Sequence, residues 1–422
     1  MRIKNIHIEN FRGLLDEYVE FNGSMTVLAG GNGGGKSSLL EAVSIMLSWL
    51  PAGISNAHAA PLKIKSSDVS YGKTFARLKM TLTESGKDIS LILTKRADKR
   101  RSGKASNMSA AKKYASDMRV LLDSPDGADV ELPVFAYYGT GRNFTGTVSP
   151  VPSESTDRTS VYKKAFDAGT DFGKLAKWLA SEIDERAREM QEASRLPLRA
   201  ANKRRDAINA KHSALAAVKK ALCDFSVVFK GLEVRGGELF IPSKNIPACA
   251  LSDGEKTVAS LIADIAMRMA VANPRMKNPL ESSAIVLVDE LDLHLHPDWQ
   301  VAVAERLPRI FVGAQFIISS HSPSIMAYSK SLYKISSEGD GQRILKVESP
   351  YGRNPSDMLS NLLNSPRPPD ASEKISKMYA MIDARDFAGA RKIIEELNAL
   401  IPDDPEIVRA EYLVRALSRE AQ

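Results

Sequence analysis

Residues 27–49 read VLAGGNGGGKSSLLEAVSIMLSW. The apolar run Val27 to Ala29 breaks into five glycines and Asn32, and Lys36, Ser37, Ser38 and a helical apolar pattern follow. Gly30 to Ser37 satisfies the spacing G-x-x-x-x-G-K-[ST], after a predicted strand and before a predicted helix. Gly30, Gly33 and Gly35 let backbone N–H groups curl around phosphate oxygens, with Asn32 in the loop and the positive end of the next helix behind it. Lys36 is placed to reach the β/γ-phosphates of a nucleotide, and Ser37, followed by Ser38, to ligate Mg²⁺. The bland alternative is a glycine-rich turn that happens to precede a lysine. The strand–loop–helix context counts against it.

A second stretch, SAIVLVDELDLHLHPDW from Ser283, completes this chemistry. Ile285 to Val288 predict a buried strand, with Asp289 and Glu290 emerging at its carboxyl end. Asp289 is expected to hold Mg²⁺ and Glu290 to polarise an attacking water. A competing reading takes Asp289, Glu290, Asp292, His294 and His296 as a metal cluster. Strand alternation argues against it, because consecutive side chains point to opposite faces. Two further stretches accompany these. ALSDGEKTVASLIADIAMRMA starts an amphipathic helix with Ser252 as N-cap and Glu255 as its capping-box partner, and QFIISSHSP places His321 after a short apolar strand. Each alone has a plain structural reading, a capped helix and a loop histidine.

Composition is permissive. Of 422 residues, 43% are hydrophobic, enough for ordinary cores, and the net charge of +7 tolerates a polyanionic partner. No stretch reaches the roughly 18 uninterrupted apolar residues of a membrane span, and no secretory signal is visible. The two cysteines, Cys223 and Cys249, fit a reducing cytoplasm better than a disulfide scaffold. Lys99, Arg100, Arg101 and Lys104 lie in a basic run between Lys95 and Lys113. This run reads either as a solvated loop or as a sequence-blind contact to DNA or RNA phosphates.

Along the chain, strands are expected over 1–30, helix over 37–49 with a stop near Pro51, and a hairpin over 75–95. A further strand leading into a glycine turn follows over Leu132–Arg142. Helices run from Phe172 to about Phe225, broken at Pro197, as a short hairpin of two arms. Strands resume at Val227–Val234 and Leu239–Ile241, followed by an alternating α/β rhythm. The last seventy residues are helical, with breaks at Ala384–Asp386 and Pro402–Pro405, and resemble a single tetratricopeptide-like pair. Four segments result: 1–165 and 227–350 as two lobes of one α/β head, 166–226 as a helical insertion, and 351–422 as a helical C-terminal segment.

Taken together, GGNGGGKSS, LSDGE, IVLVDELDLHLHP and ISSHSP resemble the ABC-type (RecA-like) P-loop ATPase core of the SMC/RecF/Rad50/OLD group. They match its Walker A, signature, Walker B with D-loop, and switch-histidine segments. IHIENFRGL at the N-terminus is also typical of that group, which implies that Arg12 lies near the nucleotide. With FAYYGTGR and YGRNPSDMLSN, the wider pattern resembles stand-alone ATPases of bacterial anti-phage modules of the Septu and retron kind. The resemblance implies ATP and Mg²⁺ as ligands and a homodimer in which Ser252, Asp253, Gly254 and Glu255 of one protomer cap the ATP of another. It also implies γ-phosphate sensing by His321, hydrolysis driven by Glu290, and no membrane partner. Three departures stand out. No glutamine precedes Gln191, so the group's glutamine loop is missing. Asp253 stands where many relatives have glycine. No nuclease domain of the OLD type is visible.

The first functional expectation is a slow, Mg-dependent ATPase acting as a cytoplasmic sensor and scaffold in phage defence, controlling a separately encoded nuclease or toxin. The alternatives are a RecF-like repair ATPase acting on DNA, and a module that binds ATP and barely hydrolyses it. A transporter subunit fits poorly, since no coupling glutamine loop is recognisable.

Overall fold

The computed structural model describes residues 1–55, 60–97, 105–140, 157–167, 171–339, 341–354, 358, 368–402 and 404–420. The basic residues Lys99, Arg100, Arg101 and Lys104, and Arg142 of the FAYYGTGR stretch, lie outside the described residues. The chain divides into two compact units, Met1–Met358 and Leu359–Gln422.

The first unit is built on a ten-stranded sheet whose two halves follow from two sequence patterns. In one half, β1 (Arg2–Phe11), β2 (Leu14–Glu20), β4 (Phe75–Glu84) and β5 (Lys87–Arg96) pair antiparallel, and β4 turns alternate residues Ala76, Leu78, Met80 and Leu82 inward. Ile3 and Ile6 are both buried although an odd spacing separates them. A register irregularity between Ile3 and Asn5 against β4 accounts for this, because one extra residue flips the alternation. In the other half, β3 (Met25–Ala29), β6 (Val134–Tyr138), β10 (Ala284–Val288) and β11 (Ala314–Ser319) run parallel. Strands β3, β10 and β11 are buried at every position, which suits a sheet covered on both faces.

The hairpin β12 (Leu332–Glu338) and β13 (Gly341–Val347) joins the halves, with β12 parallel to β3 and β13 meeting β2 at Gln342 and Leu14. The full order is β5-β4-β1-β2-β13-β12-β3-β11-β10-β6, so strands from before and after the helical insertion share one sheet. This is an α/β P-loop architecture with a helical insertion, and the carboxyl ends of β3, β10 and β11 open on one edge.

Helix α1 (Lys36–Leu47) follows the glycine loop and packs against β1, β4, β10 and β11. It ends earlier than Pro51, and Pro51 sits in the first turn of α2 (Trp49–Ile54). A proline there forfeits no helical bond, because first-turn N–H groups have no partner within the helix. Residues 36–54 are long and apolar enough to cross a membrane by composition, but they fold as these two helices and are mostly buried. Helix α3 (Ser109–Leu122) packs on α2 and β5.

Among its described residues the helical insertion has three helices, not two: α4 (Phe172–Ser194), α5 (Leu198–Lys211) and α6 (Ser213–Phe225). The unexpected break falls at His212, which is buried and brings its ring nitrogens to Glu182 (2.7 Å) and Glu189 (3.2 Å) of α4. The expected strand over 227–234 is also shorter. Ser226 caps a 3₁₀ turn at Val227–Phe229, and Gly231 takes a left-handed backbone, leaving β7 (Glu233–Arg235) to pair with β8 (Glu238–Ile241) and β9 (Ile246–Pro247). Then come α7 (Asp253–Ala272), α8 (Pro297–Ile310) and α9 (Pro323–Tyr328).

Among the described residues the second unit shows three helices, one more than a tetratricopeptide-like pair: α10 (Pro369–Asp383), α11 (Phe387–Leu400) and α12 (Pro405–Glu420). Ile375, Met378 and Ile382 meet Ala390, Ile393, Ile394 and Leu397 at helical spacing, and α12 closes the cluster with Ile407, Ala410 and Val414.

Candidate nucleotide-binding site

Strand β3 delivers the chain into the glycine loop with tight backbone demands. Gly30 has φ +153°, and a Cβ there would lie 2.1 Å from the Ile335 carbonyl oxygen of β12. Gly35 has φ +109° and caps α1 in left-handed backbone, a conformation open to glycine at little cost. No acidic residue occupies the first turn of α1, so nothing local offsets the helix's positive end. Asn32, Gly33, Gly34, Gly35, Lys36, Ser37, Ser38 and Glu290 line a cleft of about 260 Å³.

Lys36 is 6% exposed, and its Nζ donates to the carbonyl oxygens of Gly30 (2.9 Å) and Gly31 (3.0 Å). An ammonium has three donors, so two hold the loop closed and a third is left for a phosphate. Burial pulls the Lys36 pKa below the ordinary lysine value, while Asp289, Glu290 and Asp292 pull the other way.

The carboxylates come from the end of β10. Asp289 is 2% exposed, its N–H donates to the Tyr138 carbonyl (2.8 Å), and its Oδ1 accepts from the Ser319 hydroxyl. Ser319 Oγ also accepts from the Glu290 N–H at 2.7 Å. Glu290 has φ +49°, and this left-handed turn separates its side chain from that of Asp289 and brings it to the cleft. Asp292 accepts from the His321 N–H at 3.2 Å to each oxygen, and His296 caps α8. Among the described residues no group of His, Cys, Asp and Glu side chains has a metal-ligand arrangement of its own, so the five-residue cluster weighed above does not form.

His321 Nε2 is buried without a hydrogen-bond partner among the described residues. Burial, helped by the charge of Lys36, lowers its pKa below the ordinary histidine value against Asp292, Glu290 and Asp289. The neutral ring therefore dominates at pH 7. An orphaned buried nitrogen beside a lysine, a bed of loop amides and a buried carboxylate suits a bound triphosphate with Mg²⁺.

The signature stretch stands apart from this cleft. Ser252 caps α7, its hydroxyl donating to Glu255 Oε2 at 2.9 Å, and Ser252 N–H reaches the same oxygen at 3.0 Å. Burial raises the Glu255 pKa, but Lys244 and Ser252 outweigh it and leave the carboxyl below its usual range. Ser252 and Asp253 are exposed, and neither they nor Gly254 line the cleft of their own chain. Gly254 packs closely on this chain's own Walker B turn, where a Cβ would meet the His294 carbonyl oxygen at 2.6 Å. Arg12 is also outside the lining. Its guanidinium bridges Glu41 of α1 (2.5 Å) and Asp68 (3.0 Å).

Three parts of the site escaped sequence reasoning. Ser319 lay within the quoted QFIISSHSP but carried no motif role. Tyr138, Asp264 and Arg268 form a buried set that ties β6 to α7, with Tyr138 Oη donating to Asp264 Oδ2 (2.6 Å) and Arg268 Nε to the same oxygen (2.8 Å). Gln342 reaches the loop from β13, and its Nε2 donates to the Gly33 carbonyl at 2.9 Å.

Residues 25–327 match the family model described as "AAA domain, putative AbiEii toxin, Type IV TA system". The chain belongs to this family. The phosphate-loop geometry above is in keeping with an ATPase domain of this kind. The chain is 27% identical to the "Retron Ec83 probable ATPase" of Escherichia coli, over 97% of this chain and 85% of the relative. It is 42% identical to the "Septu protein PtuA" of Bacillus mycoides over 73 residues, 17% of this chain and 10% of the relative. Among solved structures, the SMC head domain from Thermotoga maritima matches with a TM-score of 0.44 and 15% identity, covering 82% of this chain and all of that one.

Proposed function

We propose that this family member is a slow, Mg-dependent ATPase that works in the cytoplasm as a nucleotide-gated homodimer in anti-phage defence, controlling a separately encoded nuclease or toxin. The carrying observation is the convergence of Lys36, Asp289, Glu290 and His321, whose Nε2 has no hydrogen-bond partner among the described residues, at the carboxyl ends of β3, β10 and β11. The likeness to a retron ATPase along nearly the whole chain and the local likeness to PtuA support the defence role.

In this reading, Gly30, Asn32, Gly33, Gly35, Lys36, Ser37 and Ser38 bind the phosphates through loop amides and the lysine's third donor. Ser37 and Asp289 would hold Mg²⁺, which would supply charge neutralisation to the phosphates. Glu290 orients a water and takes its proton as the water oxygen bonds to the γ-phosphorus and ADP leaves. His321, neutral with its proton on Nε2, donates to a γ-phosphate oxygen. Arg12 lies near the nucleotide through its hold on Glu41 of α1. The exposed Ser252 and Asp253, with Gly254 beside them and Glu255 bracing the turn, cap the nucleotide of a second protomer. The segments 1–165 and 227–350 act as one head carrying the insertion 166–226, with segment 351–422 as a partner-docking element.

The test is phosphate release by wild type, Lys36→Ala and Glu290→Gln, followed by a pull-down of Glu290→Gln protein expressed with its native gene neighbours and ATP. A stoichiometric nuclease or toxin in the eluate supports the defence reading. An eluate of self-associated protein with only DNA overturns it in favour of a RecF-like repair ATPase. A wild-type rate no higher than that of Glu290→Gln overturns hydrolysis and leaves a nucleotide-binding module.

A further inference from the structure

We infer that Gln342 is a positioning residue for the phosphate-binding loop, holding the Gly33–Gly34 peptide in the one orientation that shapes the loop. This rests on the nucleotide-binding reading above and adds a residue outside the loop to it.

The peptide between Gly33 and Gly34 is held at both ends. Its carbonyl accepts from Gln342 Nε2 at 2.9 Å, and its N–H, on Gly34, donates to the Gly31 carbonyl at 3.2 Å. A peptide flanked by two glycines flips with little steric cost, because neither neighbour has a Cβ to collide with the turning oxygen. A flip here would aim the Gly33 carbonyl at the Gly31 carbonyl oxygen that now accepts the Gly34 N–H, so the loop would have to reshape and its fit to the phosphates would be lost. A neutral amide donor fixed from outside the loop opposes that flip without adding charge beside the phosphates.

The amide of Gln342 has little freedom to do otherwise. It lies between two glycines, one from each of two separate motifs. A Cβ on Gly35 would fall 2.3 Å from its Oε1, and a Cβ on Gly13, in the FRG turn, 2.5 Å from its Cδ. Its own backbone N–H donates to the Gly13 carbonyl at 2.8 Å, and the residue pairs with Leu14 of β2. Oε1 is buried with no hydrogen-bond partner among the described residues, so rotating the amide would place the NH₂ group where no acceptor is recorded and break the bond to Gly33. This gives the bare Cα of Gly13 a reason: it makes room for the group that braces the loop.

The experiment compares three side chains of nearly equal volume. Gln342→Met keeps the packing and loses the donor, and Gln342→Glu replaces the donor with a carboxylate facing the Gly33 carbonyl. The affinity for adenylyl imidodiphosphate with Mg²⁺ is measured, with the ATPase KM and kcat and the melting temperature of nucleotide-free protein. Affinity is expected to fall about tenfold in Gln342→Met and about a hundredfold in Gln342→Glu, a span of roughly one and two decades in Kd. KM should rise in step while kcat stays within about twofold, because Glu290 and His321 are untouched. Nucleotide-free melting of Gln342→Met should match wild type. Wild-type affinity in Gln342→Met, equal losses in the two variants, or a loss matched by collapse of nucleotide-free melting would each overturn the inference. Loss of binding in Lys36→Ala alone, with Gln342→Met unaffected, would leave the nucleotide reading standing. Absence of binding by wild type would remove both.

Discussion

Ser319 holds Asp289 and Glu290 in different ways with one hydroxyl: it donates to the Asp289 carboxylate and accepts from the Glu290 backbone N–H. The two acidic residues sit side by side in sequence, and this shared oxygen, with the left-handed turn at Glu290, gives them separate directions. Replacing Ser319 by alanine leaves a buried carboxylate oxygen and a buried N–H without it, at a cost of about 1–3 kcal/mol. The expected result is a lower urea midpoint and a kcat about tenfold or more below wild type, read by denaturation and phosphate release. An unchanged kcat would show that Ser319 serves packing alone.

Glu290→Gln removes the proton acceptor and keeps the shape. Turnover should fall by about 10²–10⁴-fold, the usual contribution of a general base. Nucleotide affinity should hold, and light scattering with ATP should show a larger species than for wild type. A variant that hydrolyses at half the wild-type rate would reassign the base.

The pH dependence of stability follows from His321. Its pKa in the folded chain lies below the ordinary value of 6.5. As pH falls through 6.5, the unfolded chain takes up a proton that the folded chain resists, so this group's contribution is present at neutral pH and is lost on acidification toward the folded value. In nucleotide-free and magnesium-free buffer, His321→Gln should therefore lose less stability than wild type between about pH 7 and pH 5. Parallel melting curves for the two proteins would mean that the imidazole does not resist protonation.

The buried set Tyr138, Asp264 and Arg268 predicts unequal losses. Asp264→Ala leaves the Arg268 guanidinium, which is 3% exposed, without its carboxylate partner, and should cost about 3–5 kcal/mol or prevent folding. Tyr138→Phe leaves the ion pair intact and should cost about 1 kcal/mol. Urea denaturation separates the two. Equal costs would mean that the tyrosine hydroxyl carries as much as the ion pair. Tyr138 also accepts the Asp289 N–H through its carbonyl, so β6 touches both the Walker B strand and the signature helix.

The parts legible in the sequence were those encoded by neighbours along the chain. Gly30 to Ser37 announced a phosphate loop through local spacing, Ser252 and Glu255 form their capping box within one turn, and Asp289 and Glu290 sit at the end of an unbroken apolar strand. What remained hidden depends on register and on contacts distant in sequence. Gln342 meets the loop only because β13 pairs with β2 at Leu14, and nothing in its own surroundings signals that pairing. The bulge after Ile3, the acceptance of Pro51 in a first turn and the break at His212 are likewise set by partners elsewhere in the fold.

The turn after β10 contains two non-glycine residues in left-handed backbone, Glu290 at φ +49° and His294 at φ +65°. Each sits where an L-residue carries a steric cost of roughly 1–2 kcal/mol that glycine escapes. Under selection for stability alone, drift at both positions would run toward glycine. At 290 that drift would erase the side chain that reaches the cleft, while at 294 it would leave the backbone carbonyl beneath Gly254 in place. Random mutagenesis screened first for folding and then for turnover should therefore enrich glycine at 294 in the first screen and eliminate it at 290 in the second. Two positions four residues apart would then record separately what the fold prefers and what the chemistry requires.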